Sequence, residues 1–212
     1  MASQADVDSH VLRILHTLFA HGVFDRAAYA NDDNQIDKTA DAGVAERIEE
    51  QAITLLQNKD SLLPLSNQVK SIAVIGPYAD RLAEGGGSGG VTAFSVTTAL
   101  AGIRARASAG VTVSYVDGSD QAAAAAAAKA ADVAVVVVGD VETEGQDKDC
   151  IDLNCNSDTA NSNSVLFVSG SSCAQTTCPI NGTNEDGLVS TVAASNPRTV
   201  VVLETGAPVL TP

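Results

Sequence analysis

Apolar residues along this chain change their spacing several times, and each change marks an element. Over residues 7–24, Val11, Ile14, Leu15, Leu18 and Phe19 recur at helical spacing, which predicts an amphipathic helix capped by Gly22. A polar stretch over 31–38 follows as a linker. A second helix is predicted over 40–57, with Val44, Ile48, Ala52, Leu55 and Leu56 on one face, and 58–64 breaks the pattern. From residue 71 onward, short β-branched runs alternate with helical stretches. Strands are predicted at 71–75, 111–116, 133–138 and 199–203, and helices at 97–107, 119–131 and 185–194. The last helix is entered through a Thr183-x-x-Asp186 capping signal. Such alternation implies right-handed crossovers and an α/β fold: a doubly wound, mostly parallel sheet with helices on both faces.

The run 133–138 is almost wholly β-branched and has no polar alternation. That is the pattern of a parallel strand covered on both faces. Gly139 ends it, and Asp140, Glu142, Glu144 and Asp147 follow in quick succession. Open α/β sheets bind ligands outside the carboxyl ends of their strands, so this acidic segment is the first candidate for chemistry. A carboxyl acting as general acid near neutral pH needs its pKa raised by burial or by a like charge, and clustered acids at a strand's end can supply both. The competing reading is that Glu142, Glu144 and Asp147 are solvated loop residues or bind a cation.

A second candidate is the segment EGGGSGG at 84–90, where Gly85, Gly87 and Gly90 satisfy the letter of G-x-G-x-x-G. A dinucleotide fingerprint needs its first glycine at the strand tip, whereas Gly76 is followed by Pro77, which has no N–H for a phosphate. The triple glycine comes well after the strand, and no Gly-Lys-Ser/Thr exists for a phosphate loop. Asp117, at the end of the next strand, sits too far along to be the ribose-binding acid. A nucleotide- or phosphate-binding domain built on this loop is therefore the weaker alternative. The stronger one is that the glycines let backbone pass close to a neighbouring domain or a polar ligand.

Composition narrows the classes further. The 212 residues suffice for one sizeable α/β domain plus an appendage. Aromatics make up only 3% and Trp is absent, so the core must be built from Ala, Val, Leu and Ile. No apolar run approaches the ~20 residues that a membrane-spanning helix needs. A net charge of −14 argues against nucleic acid or an anionic membrane surface as a partner, and such acids keep a protein soluble.

Cys150, Cys155, Cys173 and Cys178 fall in one Asn/Ser/Thr-rich region. Their spacing fits no common zinc site, and His10, His16 and His21 all lie near the N-terminus, so no metal or cofactor is expected. The cysteines predict a disulfide-stapled loop in an oxidising compartment, extracellular or periplasmic. Three pairings are possible, of which Cys150–Cys155 with Cys173–Cys178 is the local one. The opening MASQAD has neither a basic start nor an apolar segment and so shows no targeting signal: either the export reading is wrong or the chain begins partway through a longer protein. A lone helix and linker at the start, and a last strand with no helix after it, predict a piece of a larger protein, truncated at both ends.

Five blocks, in order, resemble the C-terminal α/β-sandwich domain of family 3 glycoside hydrolases, which includes β-glucosidases. They are AERIEEQAITLLQNKDSLLPL (45–65), IAVIGPYA (72–79), GGGS (85–88), AADVAVVVVGDVETEGQD (130–147) and NPRTVVVLETGAP (196–208). Residues 7–25 resemble the family's last barrel-side helix and its connection. The expected division is thus 1–39 for the barrel-side helix and linker, and 40–212 for an incomplete sandwich domain.

The resemblance implies a retaining, β-glucosidase-like enzyme acting on a β-linked glucoside or short oligosaccharide. Glu144, in Thr-Glu-Gly-x-Asp, matches the glutamate that many members use as general acid/base, and Asp147 matches the acid that follows it. Lys148 stands where an arginine is usual, which keeps the charge but removes a bidentate fork. The family's nucleophile is an aspartate, in a Ser-Asp-Trp context, on a separate N-terminal (β/α)8 barrel. Retaining hydrolysis needs two carboxyls ~5 Å apart, so this chain supplies only the second and is expected to be inactive alone. The alternative within the family is a non-catalytic module that packs on the barrel and shapes the sugar site, with Glu144 a bystander.

Overall fold

The computed structural model describes residues 2–26, 36–82, 88, 90–140, 153, 184–206 and 208–210. The chain forms two compact units, Met1–Ala52 and Ile53–Pro212.

The first unit holds helices α1 (Gln4–Ala20) and α2 (Lys38–Ala52), neither of which buries a residue. α1 begins before the apolar spacing does because a capping box starts it. Ser3 Oγ accepts the Asp6 N–H at 3.3 Å, and the Asp6 carboxylate accepts the Ser3 N–H at 3.0 Å. Its end is marked by Gly22 in the left-handed region at φ 63. α2 stops at Ala52, short of the predicted 57, where β-branched Ile53 and Thr54 lower the helical propensity.

In the second unit, β1 (Ser71–Ile75), β2 (Thr112–Val116), β3 (Val133–Gly139) and β4 (Thr199–Glu204) form one sheet. All its pairings are parallel and the order is β2–β1–β3–β4. The connecting helices are α3 (Ala99–Arg106), α4 (Gln121–Ala130) and α5 (Glu185–Ser195). Winding reverses after β2, and with right-handed crossovers a reversal puts successive helices on opposite faces.

The two cores show that outcome. On one face Ile72, Val74, Val133, Val135 and Val137 pack with Tyr78 and with Leu100 of α3. On the other, Ala73, Ile75, Ala134, Val136 and Val138 pack with Ala124 and Ala128 of α4 and Leu188 and Val192 of α5. Successive side chains point to opposite faces, so every residue of central β3 is buried. That double covering explains its lack of polar alternation. The edge strands β2 and β4 are only partly buried.

Two polar knots at the amino edge of the sheet hold the register. The Asp132 carboxylate accepts the Lys70 and Ser71 N–H groups at 2.7 and 3.0 Å, while Ser71 Oγ accepts the Asp132 N–H at 2.9 Å. These bonds tie the starts of β1 and β3, where Ile72 pairs with Val133. Asn196 Nδ2 donates to the Ala128 and Ala131 carbonyls, each at 2.9 Å, and its Oδ1 accepts the Arg198 N–H at 2.9 Å. One buried side chain therefore joins the end of α4 to the entry of β4.

The cap of α5 differs from the sequence expectation. Asn184, not Thr183, is the N-cap, and its Oδ1 accepts the Gly187 N–H at 2.7 Å. Asn caps a helix at least as well as Thr does, and Asn184 is the residue placed one turn before that orphan donor.

Candidate active site at the strand switch point

Winding reverses between β1 and β3, so the crevice of this sheet lies outside their carboxyl ends. Residues 76–82 continue from β1 there, and Asp140, the first residue of the acidic segment, follows β3. The sequence alone placed each behind a strand. The strand order makes the carboxyl ends of those two strands, β1 and β3, neighbours.

Two glycines build the floor of this crevice. Gly76, just past β1, has φ +124, and a Cβ there would lie 2.0 Å from the Val137 carbonyl oxygen. Its N–H donates to the Val116 carbonyl at 3.0 Å, which closes the β1 end against β2. Gly139, the last residue of β3, would put a Cβ 2.1 Å from the Glu204 carbonyl oxygen. No larger residue lets the backbones approach this closely.

Around this floor stands a buried polar cluster. Glu185, the first residue of α5, is 1% exposed, and its Oε2 accepts the Gly139 N–H at 2.9 Å. Asp140, which begins the acidic segment, is 4% exposed, and its N–H donates to the Glu204 carbonyl at 3.1 Å. Tyr78, in the turn after β1, is 1% exposed, with the Arg81 guanidinium 6.0 Å from its ring centroid.

Burial, reinforced by the Asp140 and Asp186 carboxylates and opposed by the Gly139 N–H, pushes the Glu185 carboxyl up to about 7. Burial, with the charges of Glu185 and Asp140, likewise pushes the Tyr78 hydroxyl well above its ordinary range. The carboxyl ends of β1, β3 and β4 thus carry a dry polar cluster in which one carboxyl holds its proton near neutral pH.

Asp117, at the end of β2, is committed to its own turn. It accepts the Ser119 N–H at 3.0 Å and the Ser119 hydroxyl at 2.7 Å, and these bonds hold its carboxyl below the usual range. Glu142, Glu144, Asp147 and Lys148 lie outside the described residues, as do Gly85, Gly87 and the four cysteines. Glu185, Tyr78 and Arg81 were not singled out from sequence. An acid in a first helical turn is ordinary, and the only hint in the sequence is its place one turn before the apolar run Leu188, Val189, Val192.

Comparison with known proteins gives this crevice its context. The model for the glycosyl hydrolase family 3 C-terminal domain matches residues 53–212. This chain belongs to glycosyl hydrolase family 3. The matched residues are those of the second compact unit.

Among curated relatives, a xylan 1,4-β-xylosidase from Xylanibacter ruminicola is 33% identical over 110 residues, which is 50% of this chain and 13% of that protein. A lysosomal β-glucosidase from Dictyostelium discoideum is 36% identical over 84 residues, 37% of this chain and 10% of that protein. The crystal structure of a family 3 β-glucosidase from Bifidobacterium adolescentis superposes with a TM-score of 0.59 at 29% identity. That match covers 85% of this chain and 24% of the other. The matched part of this chain thus spans about a tenth of these curated relatives and about a quarter of that solved chain.

Proposed function

We propose that this family 3 domain is the second half of a retaining β-glucosidase-like active site, in which Glu144 is the general acid/base. The observation that carries the reading is the acidic segment's departure from β3 at the switch point of a domain matched to the family over 53–212. In this reading the nucleophilic carboxyl comes from an N-terminal (β/α)8 barrel of the same protein. Glu144 first protonates the glycosidic oxygen as the bond to the leaving group breaks. It then takes a proton from the water that attacks the glycosyl-enzyme. The substrate is a β-linked glucoside or short oligosaccharide, and no cofactor takes part. Four cysteines in one polar segment support disulfide pairing and, with it, an extracellular or periplasmic compartment.

A β-xyloside is the second reading of the substrate, because one relative is named a xylosidase and another a glucosidase. The ratio of kcat/KM on aryl β-glucoside and aryl β-xyloside decides between them.

The test of the mechanism joins this chain to its barrel and compares Glu144→Gln with the parent. Proton transfer by a placed side chain contributes roughly 10²–10⁴ in rate, so cellobiose, with its poor leaving group, should lose that much. An activated aryl glucoside leaves without protonation, so its first step should suffer less. Azide should partly restore turnover, since it attacks the glycosyl-enzyme without a general base. If cellobiose activity stays within a few-fold of the parent, the non-catalytic, site-shaping reading replaces this one.

A further inference from the structure

Glu185 reaches from the first turn of α5 to the backbone of β3 at the residue where the strand ends, and it does so without solvent. Its Oε2 accepts the Gly139 N–H at 2.9 Å, and the residue is 1% exposed. Its other oxygen, Oε1, is buried with no hydrogen-bond partner among the described residues. An ionised carboxylate would therefore leave half its charge on an unsolvated atom. Among the described residues, the charged or titratable groups that act on it are Asp140 from the end of β3, Asp186 from α5 and Tyr78 from the turn after β1. The charges of Arg81 and Glu204 also act on Tyr78, in opposite directions. The carboxylates among these are like charges, and burial removes the water that would screen them.

We propose that Glu185 is a proton-held latch: its neutral carboxyl pins α5 to the carboxyl end of β3, and loss of that proton loosens the junction. The latch goes beyond the assignment of Glu144 and does not depend on it.

The coupling follows from linkage. When the junction opens, Glu185 meets water and returns toward the ordinary glutamate value of 4.5, whereas in the closed junction it holds its proton up to about 7. The closed state therefore binds the proton more tightly. Its advantage is fully present below 4.5 and is lost as pH rises, by roughly tenfold per pH unit, until the closed carboxyl itself ionises near 7. The Gly139 N–H to Glu185 bond opposes this loss, because a charged acceptor is the stronger one. The burial of Oε1 and the facing Asp140 and Asp186 outweigh it.

Amide hydrogen exchange at Gly139 in the full 212-residue chain reads this directly, as a protection factor corrected for intrinsic exchange at each pH. Between about pH 4.5 and 7.5 protection should fall roughly a hundredfold in the parent and stay level in Glu185→Gln, which accepts the same N–H but cannot ionise. Level protection in the parent, or an equal fall in Glu185→Gln, overturns the latch. If Glu185→Gln does not fold, the side-chain carboxyl carbon of Glu185 is titrated by NMR in the parent. A midpoint above about 5.5 sustains the proposal, and one at or below it overturns it.

Discussion

Replacing Asn196 should unlock α4 from β4, and the structure fixes the size of the effect. Asn196 is 6% exposed and its amide makes three 2.9 Å bonds to backbone. In Asn196→Ala the Ala128 carbonyl keeps the Ala131 N–H at 3.3 Å, so it loses only a second partner. The Ala131 carbonyl and the Arg198 N–H lose the bonds Asn196 made to them, although Arg198 is exposed and its N–H can turn to water. One poorly satisfied buried group costs about 1–3 kcal/mol and a lost ordinary bond about 1 kcal/mol, so the expected loss is about 2 kcal/mol. For a domain of this size that corresponds to a fall of roughly 4–8 °C in Tm.

Asn196→Asp is the sharper probe. It removes both donors and aims a carboxylate at two carbonyl oxygens, so at pH 7 it should cost more than the alanine. That penalty is electrostatic, so its pH dependence has a defined sign. The mutant carboxyl has a raised pKa in the folded state, hence the penalty is absent below the unfolded value of ~3.9 and grows as pH rises. Urea denaturation of the three proteins at pH 5 and pH 7.5 measures both effects. An aspartate variant as stable as the parent at pH 7.5, or an alanine variant within about 0.5 kcal/mol of it, refutes the role given to this side chain.

Gly76→Ala and Gly139→Ala should each cost at least about 2 kcal/mol, because their Cβ atoms would meet backbone oxygens at 2.0 and 2.1 Å and a strand must move to admit them. Gly110→Ala is the control: its φ is +88 but no atom lies within 4 Å, so thermal melts should show only the roughly 1 kcal/mol of left-handed strain. Cys150–Cys155 and Cys173–Cys178 are the expected disulfides, to be mapped by mass spectrometry of unreduced peptides. Four free thiols in protein made under oxidising conditions would refute them. Closing such short loops contributes at most a few kcal/mol, so reduction should leave the circular dichroism of the sheet intact.

Much of this fold was legible in the chain because its elements are written in short-range patterns. The four strands fall within a residue of their predicted bounds, since β-branched runs between helical stretches have few alternatives. The ends of helices were less legible, because caps are set by single side chains. Ser3 started α1 early, and Asn184 rather than Thr183 opened α5. Within the site, Asp140 declared itself as the first acid after β3, but Glu185 did not. Its chemistry comes from where it sits, and an acid at a helix N-terminus is by itself an ordinary surface residue.

Local pattern and chemical inventory were thus determined by the sequence alone: which segments form strands, that β3 is covered on both sides, and that a cluster of acids follows it. Period and propensity act over a few residues, so they can be read from a few residues. The order β2–β1–β3–β4 was decided only by the tertiary structure, because strand order depends on which buried faces match across long loops. That order sets the carboxyl ends of β1 and β3 side by side, and the fold carries the N-terminus of α5 to the end of β3. There it strips water from Glu185 and sets it beside Asp140 and Tyr78. Residues 46 positions apart meet at 2.9 Å, and the low dielectric between them turns an ordinary glutamate into one that keeps its proton.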